Sequence, residues 1–270
     1  MDNNLIFEHI NGVNLQSIAN VVIDIDRKDS LDNLRDHSII WCKTDYLDYL
    51  FNNLPHNNNS YKLITHCSDH SIDEKLFFKK PKNINKWYAQ NVNYRHDDLI
   101  PLPIGIENHY GPNKGSSIDI EFLYNNRKNF TVTNKIISHI YCNFNLQTNS
   151  NRSNVARILQ NKQIGIFDKN RSFAEYCQEM KKYLFVASPR GNGIDCHRTW
   201  EALYMGCIPI VEKHFMFDSY KDLPIVQIDS WETFDMNQIL LYIEQYKTGD
   251  LFKNIQELDN RFYLNKILTC

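Results

Sequence analysis

Between Ser188 and Glu201 the chain reads Ser-Pro-Arg-Gly-Asn-Gly-Ile-Asp-Cys-His-Arg-Thr-Trp-Glu, which sets two guanidinium groups, an imidazole and two carboxylates around a pair of glycines. Gly191 and Gly193 permit positive φ and close approach of backbone to a ligand, so the turn can offer its amides as an anion nest at the start of a helix. Arg190 and Arg198 add planar, permanently charged donors that match phosphate oxygens. Glu201 follows Arg198 by one helical turn and shares its face. A carboxylate there can accept both hydroxyls of a ribose, so the pattern suits the phosphates and pentose of a nucleotide. The plain alternative is an ordinary βα loop capped by Asp195, with Gly206 ending the helix and Pro209 on a buried strand. A GxGxxG dinucleotide fingerprint would need glycine where Cys196 stands. Cys196 and His197, adjacent on a helix, point in different directions and have no evident orienting acid, which argues against a nucleophile and its base.

A second polar cluster runs from Thr65 to Asp73 and contains His66, Asp69, His70 and Asp73. It reads either as a source of a proton acceptor or as a turn capping a helix over Ile72 to Phe78. Asp24-Ile-Asp26 has the spacing of a metal-binding pair, yet only one short strand precedes it and a hard cation needs several oxygens gathered together. His66 and His70 share a helical spacing but lack a third ligand. No metal site is therefore expected. Trp87, Tyr88 and Trp200 can stack on a ring, although aromatics in such runs more often fill a core.

These groups must be held by elements that the hydrophobic pattern outlines. Short apolar runs at Val21 to Ile25, Ser38 to Cys42, Tyr61 to His66 and Leu99 to Ile104 predict strands in βα repeats. Helical spacing over Asp45 to Leu54 stops at Pro55. Gly111 to Ser117 and the polar, basic Asn125 to Asn129 bracket a candidate boundary. Beyond it the pattern restarts, with strands at Lys135 to Phe144, Gln163 to Phe167, Leu184 to Ala187, Ile208 to Val211 and Ile225 to Ile228. Helices are expected at Arg152 to Gln160, Phe173 to Lys181, His197 to Met205 and Met236 to Gln245. The expectation is an α/β protein with two domains, 1–125 and 126–270, each built on a parallel sheet, the last helix packing back on the first domain.

Composition narrows the partners. The 270 residues are 42% hydrophobic and 13% aromatic, which supplies a real core and excludes a disordered chain. A formal net charge of -2 gives no broad basic surface for nucleic acid, so an anionic ligand must meet a local basic cluster. Seven scattered cysteines suit a reducing compartment. The sequons, Asn58, Asn129 and Asn151 among them, read as chance in an Asn-rich chain, since the amino terminus lacks the basic and apolar regions of a signal peptide. No run approaches the roughly 20 apolar residues of a membrane span. A soluble, cytoplasmic protein is expected.

The stretch Ser188 to Val211 resembles the donor-site signature of exostosin-like glycosyltransferases, a Pro-Arg-Gly loop followed by Arg, Glu and a Gly-x-Ile-Pro turn. Thr65 to His70, Lys86 to Val92, Pro101 to Glu107 and Asn143 to Arg152 resemble the same group. The resemblance implies a GT-B fold, two Rossmann-like domains facing across a cleft, the first holding the acceptor and the second the donor. It places Arg198 and the Gly191 to Gly193 backbone on a diphosphate, Glu201 on the ribose and Arg152 as another phosphate donor. Ser188 and Arg190 would line the pocket, and Asn192, Asp195 and His197 would contact sugar or phosphate. The base that takes a proton from an acceptor hydroxyl would be Asp73 or Asp69, then His70, with His66 on the acceptor side. The compact form is most similar to exostosin-like enzymes of large DNA viruses, among them a β-xylosyltransferase. The implied activity is metal-independent, inverting transfer from a UDP-sugar, UDP-xylose foremost, to a glycan, with no cofactor beyond the donor and with the host cytoplasm as location if viral. A non-catalytic nucleotide-sugar or glycan-binding module and another nucleotide-sugar enzyme, such as an epimerase, remain the alternatives.

Overall fold

The structure is a computed structural model that describes residues 9–107, 135–168, 171–244 and 255–269. It divides into two compact units. The first comprises residues 1–104, 193–195 and 259–270, and the second residues 105–192 and 196–258. The boundary expected within residues 111–129 lies outside the described residues.

In the first unit a short helix, α1 (Gly12–Leu15), leads into β1 (Val21–Ile23). Then follow β2 (Ile39–Lys43), α2 (Leu47–Asn53), β3 (Tyr61–His66), α3 (Glu74–Phe77), β4 (Ile84–Ala89) and β5 (Leu99–Pro101). The five strands pair in sequential order and all in parallel. Strand β1 is shorter than its apolar run because Asp24 N donates to Arg27 O at 2.6 Å, which turns the chain and leaves Ile25 exposed. Asp24 and Asp26 therefore sit in a tight turn. Strand β5 stops at Pro101, since Pro101 and Pro103 cannot donate to a ladder. The expected pattern did not include β4, whose run is interrupted by Asn85 and Lys86. Its Trp87 is fully buried, stacks on Phe77 at 6.2 Å, meets Phe51 edge-on at 5.8 Å and donates from Nε1 to Thr65 Oγ1 at 2.8 Å.

The second unit runs β6 (Ile136–Cys142), α4 (Asn151–Asn161), β7 (Gly165–Phe167), α5 (Phe173–Met180) and β8 (Tyr183–Ala187). It continues through α6 (His197–Tyr204), β9 (Ile208–Glu212), β10 (Val226–Ile228) and α7 (Met236–Glu244). Its parallel order is β10-β9-β8-β6-β7. The chain thus steps outward from β6 to β7, then returns to the other side of β6. That reversal is a topological switch point, and in open α/β sheets ligands bind there, beyond the carboxyl ends of the strands. The sequential first sheet has no such reversal. All five β8 residues are buried, and α6 places Trp200, fully buried, edge-on to Tyr220 at 5.1 Å. Gly206, at φ 65°, supplies the left-handed turn that ends α6.

The last helix, α8 (Asn260–Thr269), counts with the first unit. Lys62 Nζ donates to Ile267 O at 2.7 Å, so a cation from β3 satisfies a carbonyl orphaned at its end. No described helix is long and apolar enough to cross a membrane.

Residues 193–195 are fixed in the first unit by Asn91. Its Oδ1 accepts from the amides of Ile194 and Asp195, each at 3.0 Å, and its backbone occupies the left-handed region at φ 55°. Asn91→Ala would orphan two buried amides and strain the turn, a loss of about 3 kcal/mol. Urea denaturation tests this; a loss below about 1 kcal/mol would contradict the role.

Candidate functional site

The loops leaving β6 and β8 flank the switch point of the second unit. Arg152, in the first turn of α4 and 5% exposed, joins them. Its Nη1 donates to Asn145 O at 3.1 Å, while Nε and Nη2 donate to Arg190 O at 2.9 Å and Pro189 O at 3.3 Å. Asn149 Nδ2 adds a bond to Gly191 O at 2.8 Å. A Cβ at Gly191 would stand 3.2 Å from Arg152 Nη2, so this glycine serves close packing. At Gly193 the added Cβ would meet Asn91 Nδ2 at 2.5 Å. Neither adopts the positive φ that the sequence permitted; both are glycine because a neighbour stands where a side chain would be.

Arg198, on the first turn of α6, donates from Nε to Asn143 O at 2.7 Å. Both guanidiniums lie over the buried ring of Phe144, its centroid 5.9 Å from Arg152 Cζ and 5.7 Å from Arg198 Cζ. Burial, then the charge of Arg198, holds Arg152 below its ordinary value; a guanidinium nevertheless stays protonated. Among the described residues no carboxylate is in ion-pair range of Arg152 or Arg198. Two cations at the carboxyl ends of a parallel sheet, without a carboxylate partner among the described residues, have the charge and donor geometry that suit an anion. Beside them a cavity of 190 Å³ is walled by Phe144, Leu146, Ala156 and Phe167, the two rings meeting edge-on at 6.3 Å. A site of about 150 Å³ already accommodates one six-membered ring.

The other expected donor residues fall into distinct settings. Ser188 is buried and bonds through Oγ to Thr199 Oγ1 at 2.9 Å, tying the end of β8 to α6. Arg190 and Asn192 are exposed. Arg190 acts on Glu212, at the end of β9, whose carboxyl is raised by burial and by Glu232 and drawn back by Arg190. Asp195 belongs to the first unit, where Oδ2 accepts from Ile104 N at 2.8 Å. It does not cap α6; the N-cap is Cys196, whose side chain makes no capping bond. His197 Nδ1 lies 2.8 Å from Gly105 O, a contact that requires a proton on Nδ1. Glu201 accepts from Tyr176 OH at 2.8 Å, and burial, with the Glu201 charge, pushes that phenol well above its ordinary value.

In the first unit, His66 is 2% exposed and its Nε2 donates to Pro103 O at 3.0 Å, while Nδ1 lies 3.6 Å from Cys67 Sγ. It offers no ring nitrogen to solvent. Asp73 is the N-cap of α3, its Oδ1 accepting from Leu76 N at 2.8 Å, so the capping role read from the sequence holds over a shorter helix. Asp69 and His70 are exposed. His70 Nε2 stands 3.8 Å from Asp45 Oδ1, and His70 and Asp73 line an open polar cavity of 350 Å³ with Asp45, Asp48, Lys75 and Lys79. Among the described residues no group of three or more His, Cys, Asp or Glu is placed to hold a metal ion.

Phe144, Asn149, Tyr176 and Asn91 were not anticipated. Phe144 and Asn149 carry a positional signal, the loop after a predicted strand. Tyr176 and Asn91 carry none, because their partners lie far away in sequence. Comparison with known proteins returns no matching family model, and no curated protein matches the sequence.

The two arginines should separate in a stability measurement. Arg152→Ala removes three hydrogen bonds to loop carbonyls, the one to Pro189 O buried, and should cost about 3 kcal/mol, whereas Arg198→Ala removes one bond and should cost about 1 kcal/mol. Urea midpoints decide; equal losses would contradict the distinction between a clamp and a ligand-facing cation.

Proposed function

We propose that the chain is a glycosyltransferase of GT-B type that moves a sugar from a UDP-sugar, UDP-xylose foremost, to a hydroxyl of a glycan, with inversion and without a metal. The observation that carries this reading is the pair of guanidiniums at the β6/β8 reversal, Arg152 and Arg198, with no carboxylate partner among the described residues. Support comes from Glu201, one turn after Arg198 and half-buried, and from the one-ring cavity that shares Phe144 with both arginines. Phosphates on the cations, a pentose on the carboxylate and a pyrimidine in the cavity account for all three features.

In the proposed reaction the acceptor oxygen bonds to the anomeric carbon as the bond from that carbon to the diphosphate oxygen breaks. The leaving diphosphate keeps the electron pair, and its growing charge is met by Arg198, by Arg152 and by the amides after β8, dipoles already in place before the step. The acceptor proton passes to a base, for which Asp69, Asp73 and His70 are the candidates. One observation favours the non-catalytic alternative: Asp73 is committed to capping α3, and Asp69 and His70 are open to solvent rather than shielded. Transfer that is lost in one of Asp69→Ala, Asp73→Ala or His70→Ala while nucleotide-sugar binding persists supports catalysis; nucleotide-sugar binding without transfer to any acceptor supports the binding module.

A thermal-shift series with nucleotide sugars, with and without EDTA, tests the donor assignment. One UDP-sugar at a hundredfold excess over its Kd should stabilise the chain by about 2.7 kcal/mol, unchanged by chelation, and Arg198→Ala should abolish the shift. Absence of a shift with every nucleotide sugar would overturn the proposal.

A further inference from the structure

We infer that Tyr176 is a positioning residue that gives the donor site its selectivity for ribose over deoxyribose, by holding Glu201 so that one carboxylate oxygen is reserved for the pentose hydroxyls. The inference rests on the nucleotide-binding reading above.

The geometry begins with α5. Ser172 and Glu175 form a reciprocal capping box that fixes its first turn, and Tyr176 follows immediately on that turn. The phenol ring packs against Tyr141 at 6.1 Å and Phe173 at 5.8 Å, so its direction is set by aromatic contacts rather than by its hydroxyl. From that position the hydroxyl donates to Glu201 Oε2 at 2.8 Å. Among the described residues Oε1 of the same carboxylate has no hydrogen-bond partner, and Arg198, one turn earlier on α6, is not in ion-pair range of it.

Opposite charges three residues apart on a helix ordinarily pair. Here each is engaged elsewhere, Arg198 by Asn143 O and Glu201 by Tyr176, and so the two are kept apart. The consequence is a half-buried acceptor standing one turn from a cation. A diol fits that acceptor: a hydroxyl donates to Oε1, and a second can share the carboxylate. A deoxyribose leaves a desolvated acceptor unfilled, and sites built to bond a hydroxyl reject analogues that lack it. The phenol must remain a donor for this to work, and its burial, reinforced by the Glu201 charge, keeps the proton in place through neutral and mildly alkaline pH.

The test measures Kd for inorganic pyrophosphate, for UDP with 2′-deoxy-UDP and for ADP with 2′-deoxy-ADP, on the full chain and on Tyr176→Phe, Glu201→Gln and Tyr176→His. Pairing each nucleotide with its deoxy form removes the base from the comparison. The wild-type chain should prefer the ribonucleotide by about tenfold or more. Tyr176→Phe should bring that ratio close to one while pyrophosphate affinity stays within about twofold, which a general loosening of the fold would not do. Glu201→Gln should also lose the preference, and Tyr176→His, which keeps a donor, should restore part of it relative to Tyr176→Phe. A Tyr176→Phe chain that keeps the full ratio overturns the inference, as does a wild-type chain that binds pyrophosphate yet treats the two pentoses alike. If neither pyrophosphate nor any nucleotide binds the wild-type chain, the nucleotide reading itself fails, and this inference with it.

Discussion

Two like charges beside one phenyl ring, without a carboxylate in range among the described residues, are costly by electrostatics alone. Unit charges 4 Å apart repel by about 4 kcal/mol in an effective dielectric of 20, and burial strips away the water that would screen them. Arg152 and Arg198 persist because the backbone surrounds them with acceptors: carbonyls of Asn145, Pro189 and Arg190 for the first, and of Asn143 for the second. These carbonyls take three N–H groups of Arg152 and one of Arg198, but they do not cancel the charge. What remains is a pair of guanidiniums at the carboxyl edge of the second sheet whose charge no carboxylate among the described residues offsets.

The fold supplies the place. Because β8 returns to the far side of β6 from β7, the loops after β6 and β8 leave the sheet as neighbours and can be clamped by one guanidinium. Arg152 is thus both the fastener of those loops and half of the charge. Ser188 and Thr199 fasten the end of β8 to α6, which carries Arg198 and Glu201 into the same neighbourhood. The glycines divide their work. Gly191 clears space for Arg152 in the second unit, and Gly193 clears space for Asn91 in the first.

Much of this was legible in the sequence. The apolar runs located nine of the ten strands among the described residues, since strands inside a parallel sheet are largely apolar, and they failed at β4, where Asn85 and Lys86 interrupt the run. Ends were less legible. Strand β1 is cut short by the Asp24–Arg27 turn and β5 by its prolines, local constraints that override a smooth hydropathy pattern. Residue type alone singled out the cluster from Ser188 to Glu201, but not the partners that orient it. Arg152 looked like a phosphate donor and proves to spend three of its N–H groups on carbonyls. Asp195 looked like a helix cap and instead binds Ile104 N. Tyr176 and Asn91 were invisible, since a hydrogen bond closed across 25 or 103 residues leaves no periodic trace.

The central claim is that the Arg152 and Arg198 pair is the seat of a diphosphate. A crystal structure of the chain soaked with UDP tests it most directly. The account predicts phosphate oxygens on Arg198 and on the amides that follow β8, the pentose on Glu201 and the pyrimidine against Phe144. A nucleotide found at any other place, with the β6/β8 loops unoccupied in the same crystal, would contradict it.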